Sequence, residues 1–186
     1  MTFPKLFRVA LILGAFGCAT DVVYSKAPAT FSGVISWPTE TERGRKLVPD
    51  ADTPRVKRCH GTWCELVKVR IRFADAPEIN QPYGREALAY AKEHWQGKVV
   101  ICSVRGDSYG RPVVDIVDKD GNDLATDLVS HGYAMVDPRY PSKALSAAQD
   151  KASCDDLGIW SGDDNPTPPW EWRRNNKAKN VLQRKK

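Results

Sequence analysis

The segment Val69 to Ala87, VRIRFADAPEINQPYGREA, constrains this chain more than any other, because it joins a strand to a helix through a corner fixed by proline. Val69, Ile71 and Phe73 alternate with Arg70 and Arg72, the period of two that puts an apolar set on one face of a strand and both arginines on the other. Pro77 locks its own backbone and biases Ala76 away from helix, so Asp75 and Glu78 stand in an extended corner rather than on a continuous helical face. Ala87, Leu88, Ala91 and Trp95 then recur as one helical stripe, closed by Gly97. Two acids and an arginine beside a strand end read as a candidate site. Taken alone, they fit a turn with solvated charges equally well.

The rest of the chain is patterned with strands early and helices late. Phe31 to Trp37 reads as a strand, Pro38 to Lys46 as a charged surface insertion, and Val56 to Phe73 as a hairpin turning near Gly61. Val99 to Val104 and Pro112 to Val117 form two further strands, with Asp118-Lys119-Asp120-Gly121 as a tight turn after the second. Leu124, Leu128 and Val129 mark a short helix ending at Gly132. Leu145, Ala148 and Ala152 mark a third, stopping near Gly158. Strands and helices do not alternate and nothing repeats, which favours an α+β barrel over a parallel sheet. A length of 186 residues at 41% hydrophobic content allows one ordinary domain plus tails and excludes a disordered chain.

Both ends differ from the middle. Lys5 and Arg8 precede an apolar run from Val9 to Gly17, too short for a stable membrane span, so residues 1–27 read as an export signal with cleavage between 19 and 29. The expected location is secreted or periplasmic. Cys18 offers a lipid site as the alternative, which bulky Phe16 fits poorly. Residues 162–186 form a tail, whose run SGDDNPTPPWEWRR from Ser161 is too rich in proline and acid for regular structure, with Trp170 and Trp172 expected to dock on the domain. From Arg173 onward the tail carries seven basic residues and no acid, a pattern that attracts polyanions or simply remains solvated. Without Cys18, four cysteines remain in an exported chain. Cys59 and Cys64 flank a candidate hairpin tip, which would leave Cys102 to pair with Cys154; a metal site on Cys59, His60 and Cys64 is the less favourable alternative.

Further charges complete the candidate chemistry. Asp50-Ala51-Asp52-Thr53 supplies acids upstream, and Tyr109-Gly110-Arg111 an arginine at a strand start. Oxygen-only clusters suit hard cations, and paired arginines suit a phosphate whose charge grows in a transition state, so the constellation points to phosphodiester cleavage. The ordered pieces DADT, VRIRFADAPE, QPYGREA, DSYGRPV, LVSHGYA, GIWS and PWEWRR resemble the thermonuclease, or staphylococcal nuclease-like, family of the exported bacterial type, over about Phe31 to Arg174. The arginine-x4-Asp-x-Pro-Glu spacing together with Tyr-Gly-Arg is the specific part.

That resemblance implies an α+β fold, a five-stranded OB-type β-barrel packed with three α-helices, over residues 28–161. It implies a calcium-dependent nuclease acting on DNA and RNA with little sequence specificity; a monomer is expected, though the sequence leaves the oligomeric state open. By position, Asp52, Asp75 and the Ala76 carbonyl would ligate Ca2+, Glu78 would orient or deprotonate water, and Arg70 and Arg111 would clamp the phosphate. Tyr109 and Tyr140 match nucleotide-contacting positions. The chain departs from the family's Asp-Gly-Asp-Thr at Ala51, and Pro54 follows where a strand needs a donor. Glu40 is therefore a competing upstream ligand, and a non-catalytic binding module with a degenerate metal site is the alternative function. A structural cell-envelope protein is a third.

Overall fold

The computed structural model describes residues 29–42, 45–162 and 165–183, so the leader read at 1–27, with Cys18, lies outside the described residues. Strand β1 (Thr30–Ser36) is followed by a short antiparallel ribbon, β2 (Glu40–Glu42) and β3 (Arg45–Leu47), within the stretch read as an insertion. β4 (Arg55–His60) and β5 (Trp63–Lys68) make the hairpin about Gly61. Two-residue strands β6 (Arg70–Ile71) and β7 (Ala74–Asp75) lead to helix α1 (Gly84–Trp95). After them come β8 (Val99–Asp107), β9 (Pro112–Asp118), α2 (Leu124–Ser130), β10 (Met135–Val136), α3 (Lys143–Cys154) and α4 (Pro169–Gln183).

The main sheet runs β5-β4-β1-β8-β9-β6. β5 and β6 lie at opposite edges, yet only Val69 separates them in the chain, so they are two halves of one bent strand around which the sheet curls. Counted that way there are five strands, the OB-type arrangement. The barrel is filled by alternate strand residues, among them Ile35, Val56, Val69, Ile71, Val100 and Ile116, with Trp37 closing one end; all are essentially solvent-free. Helix α1 packs Ala87, Leu88, Ala91 and Trp95 inward, and Asp127 on α2 accepts hydrogen bonds from Trp95 Nε1 (2.6 Å) and Tyr90 Oη (3.0 Å), binding the first two helices together. The β6–β9 pairing is parallel, which short-range periodicity does not signal.

The tail departs from expectation. Pro169 opens α4, where a residue without an amide proton costs nothing because the first helical amides lack partners anyway. The proline run therefore ends in a fourth helix and not in irregular chain. Trp172 does dock: its Nε1 donates to Asn80 Oδ1 at 3.4 Å.

Cys59 and Cys64 face each other across the β4–β5 register and are disulfide-bonded, which removes the metal reading for that pair. The other pairing is corrected. Cys102 and Cys154 are both free thiols, because Cys102 points into the barrel from β8 while Cys154 ends α3 on the surface. Burial pushes the Cys102 thiol up to about 12, so it packs as a small apolar group. Reducing the Cys59–Cys64 disulfide opens a short loop, for which chain entropy gives roughly 2 kcal/mol of lost stability. The melting temperature should fall by roughly 4–8 °C in reductant. An unchanged melting temperature would show that the crosslink does not stabilise the fold.

Candidate active site

The site is built where the bent strand breaks. Phe73 adopts a left-handed backbone (φ 70°), unusual for a bulky residue, and turns the chain off the barrel so that Ala74 and Asp75 pair with Val136 and Met135 of β10. The Phe73 carbonyl accepts from Asp137 N at 2.6 Å, which brings a third acid to the same place. Beyond Pro77, the Gln81 amide donates to the Glu78 carbonyl (2.8 Å), while Gln81 Oε1 accepts from Glu78 N (3.3 Å). A Cβ on Gly84 would fall 1.9 Å from that same carbonyl. Glycine in QPYGREA thus lets the Glu78 loop rest directly on the start of α1.

Arg70 is the centre. It is buried, and one terminal nitrogen lies 2.8 Å from Asp75 Oδ1, 3.1 Å from Asp52 Oδ2 and 3.6 Å from Asp137 Oδ2. Its Nε is buried with no hydrogen-bond partner among the described residues, a donor in reserve. Burial opposes its charge, but Asp52 and Asp75 more than offset that and raise its pKa further. Asp52 also accepts from Thr53 Oγ1 (2.8 Å) and, weakly, from the Ala76 amide (3.4 Å). Burial pushes the Asp52 carboxyl up to about 6, with Arg70 opposing and Asp75 adding to the rise. Asp50 is pushed up to about 7 by burial, then by Asp52 and Glu78, while it accepts from Ile79 N at 2.7 Å and so anchors the Glu78 loop.

Ala51 and Pro54 do not disturb this corner. Ala51 is fully buried with no left-handed backbone, and its carbonyl accepts from Trp37 Nε1 at 3.0 Å. Pro54 takes part in pairing only through its carbonyl, which accepts from Val69 N at 3.1 Å, so the missing donor is never called on. Glu40 pairs with Arg55 instead of reaching Arg70.

The structure therefore brings together Arg70, Asp52, Asp75 and the Ala76 backbone, with Glu78 beside them. Arg111 is placed apart from these contacts. It sits in the β8–β9 turn, its Nε 3.5 Å from Ser108 O, and lines a cleft of about 190 Å³ shared with Asp50, Thr53, Glu40 and Lys68. Tyr109 projects from the same turn, 97% exposed. Tyr140 lies with its ring 5.9 Å from the Arg72 guanidinium and 5.8 Å from that of Arg139.

Two partners were not legible as site residues. Asp137 belongs to no motif; burial works against its ionisation, but hydrogen bonds from Arg139 outweigh it and hold the carboxyl below the usual range. Arg173, on α4, donates to Asp75 Oδ2 (2.6 Å), Asp75 Oδ1 (3.0 Å) and Glu78 Oε1 (2.8 Å). Its sequence signals were its place in PWEWRR and at the head of the basic run, neither of which points to Asp75 or Glu78.

The donor set fits a hard cation: the Asp52 and Asp75 carboxylates and the Ala76 backbone supply oxygen only, and both acids are buried. Among the described residues no group of three His, Cys, Asp or Glu side chains stands at metal-ligating spacing, so a cation here would rest on Asp52 and Asp75 with backbone and water oxygens.

The family profile described as "Staphylococcal nuclease homologue" matches residues 68–162, which contain Arg70, Asp75, Glu78 and Arg111. The chain belongs to the staphylococcal nuclease family. It is 33% identical over 145 residues to an uncharacterized endonuclease of Escherichia coli O157:H7, covering 75% of this chain and 92% of that protein. It is also 33% identical over 134 residues to a probable staphylococcal-like nuclease of Oryza sativa subsp. japonica, covering 70% of this chain and 40% of that one. A staphylococcal-like nuclease of Arabidopsis thaliana is 31% identical over 115 residues, 61% of this chain and 35% of that protein. Helix α4 lies beyond the profile match.

Proposed function

We propose that this staphylococcal nuclease family member, a nuclease that hydrolyses phosphodiester bonds, is an exported, calcium-dependent enzyme acting on both DNA and RNA with little sequence specificity. The observation that carries the reading is the shared arrangement of Asp52 and Asp75 on one Arg70 nitrogen, at 3.1 and 2.8 Å, with Glu78 at the mouth. Calcium, when held by Asp52, Asp75 and the Ala76 carbonyl, would supply positive charge beside the scissile phosphate. Arg70 would stabilise the charge that builds as phosphorus is attacked. Glu78 would orient and deprotonate the water. Arg111 would swing from its cleft to the same phosphate, and Tyr109 and Tyr140 would contact bases or sugar at the rim, without reading base edges. Residues 1–27 would be removed on export, leaving the nuclease domain to Ser161 and the tail beyond it; no described helix is long and apolar enough to cross a membrane.

Digestion of denatured DNA and of RNA by the purified protein, in calcium and then in chelator, tests this directly. Cleavage of both should occur with calcium and stop without it. Equal digestion under both conditions, or none in either, would exclude the calcium-dependent reading.

A further inference from the structure

The Arg173 guanidinium stands where the proposed chemistry needs open carboxylates. It grips both oxygens of Asp75 and one of Glu78, at 2.6 to 3.0 Å, so the proposed metal ligand and the proposed base are held by the same cation. Asp75 already pairs with Arg70. A divalent cation settling on Asp75 would meet a second positive group within a few ångströms, in a site where burial weakens screening.

Helix α4 is also lightly attached. Apart from Arg173, its described polar links to the domain are the 3.4 Å bond from Trp172 to Asn80 and the 2.6 Å bond from Gln81 Nε2 to the Thr167 carbonyl, just before the helix. A cleft of about 290 Å³ remains beneath it, lined by Pro77, Tyr83, Met135, Ile159 and Trp172. Arg174, Asn175 and Lys177 face solvent. An element with few buried contacts opens at a small fraction of the cost of global unfolding. The hold is therefore concentrated in one contact, the bidentate grip of a part-exposed arginine on the buried Asp75 carboxylate.

We infer that α4 is an intramolecular latch, in which Arg173 occupies Asp75 and Glu78 and must withdraw before a divalent cation can use them. The inference rests on the metal and base roles proposed above. Closure lowers the apparent affinity for the cation by the fraction of molecules that are open. The cation in turn drives the helix off.

The test compares the full chain with Arg173→Gln by calcium calorimetry and by hydrogen exchange over residues 169–177. The variant should bind calcium about tenfold more tightly, within the roughly 5–150-fold span of ordinary couplings between sites. Its α4 amides should exchange faster without metal, and calcium should speed the same amides in the unaltered protein. Equal measurable calcium affinities, or α4 amides that exchange alike in both proteins, overturn the latch. So does a variant that loses turnover on denatured DNA at unchanged calcium affinity, since Arg173 would then be a phosphate contact. If neither protein binds calcium, the calcium reading fails and the same titration with manganese decides the latch: tighter binding by the variant supports it, and equal affinities or no binding overturn it.

Discussion

Arg70→Ala is expected to lose a large part of its stability as well as its activity. The arginine is 7% exposed and faces Asp52, Asp75 and Asp137, themselves 1 or 2% exposed. Truncation leaves three carboxylates in the interior with Arg139 and Arg173 as the remaining cations, each partnering one side of the group. Removing one member of a buried ion cluster typically costs about 3–5 kcal/mol, because charges are left without compensation. Against a total of about 5–15 kcal/mol for a domain, that cost pushes the variant toward unfolding at ordinary temperature. Part of it is relieved by protonation, and Asp52, already pushed up to about 6, would accept the proton most readily. Arg70→Lys separates the two roles: an ammonium restores much of the charge but cannot present a planar fork to a phosphate. Urea unfolding should therefore rank wild type above Arg70→Lys above Arg70→Ala, with both variants inactive. An Arg70→Ala protein as stable as wild type would mean that the acids are neutral in the fold.

This double role was not visible in VRIRFADAPE as a string. Alternation puts Arg70 and Arg72 on one solvent-facing side, and that rule holds for a straight strand in an open sheet. Here the strand bends at Val69 and turns left-handed at Phe73, so Arg70 is carried to the closed end of the barrel while Arg72 lies over the Phe73 ring at 4.3 Å. Elements were legible where local pattern determines them: the β4–β5 hairpin with its disulfide, the α1 stripe and the Asp118–Gly121 turn. Contacts made across the chain were not. The free thiols illustrate this, since counting cysteines says nothing about Cys102 facing inward and Cys154 outward. Arg173 reaches Glu78 across 95 positions, and Asp137 meets Arg70 through a backbone bond to Phe73. Asp50 is a milder case. Its motif was legible, but its work as an anchor for Ile79 depends on a bond spanning 29 positions.

Glu78→Gln is expected to show the opposite profile, with the fold intact and turnover lost. The side chain is 28% exposed, and its described partner is Arg173, itself part-exposed. What fixes the loop is backbone and Gln81: the Gln81 amide on the Glu78 carbonyl, Gln81 Oε1 on the Glu78 amide, and the close approach at Gly84. None of these changes when a carboxylate becomes an amide of the same shape. Surface replacements of this kind usually move stability by about 0.5 kcal/mol or less. The amide cannot take a proton from water, and loss of a general base typically lowers a rate by about 10²–10⁴-fold. The drop should appear in kcat at saturating calcium, where any gain from loosening Arg173 no longer matters. Glu78→Asp tests position against basicity, because it keeps the carboxylate and withdraws it by one methylene. If Glu78→Gln retains more than about a tenth of wild-type kcat, the water is activated elsewhere. Asp50, carried on the neighbouring corner and held up near neutrality, would then be the next acid to replace.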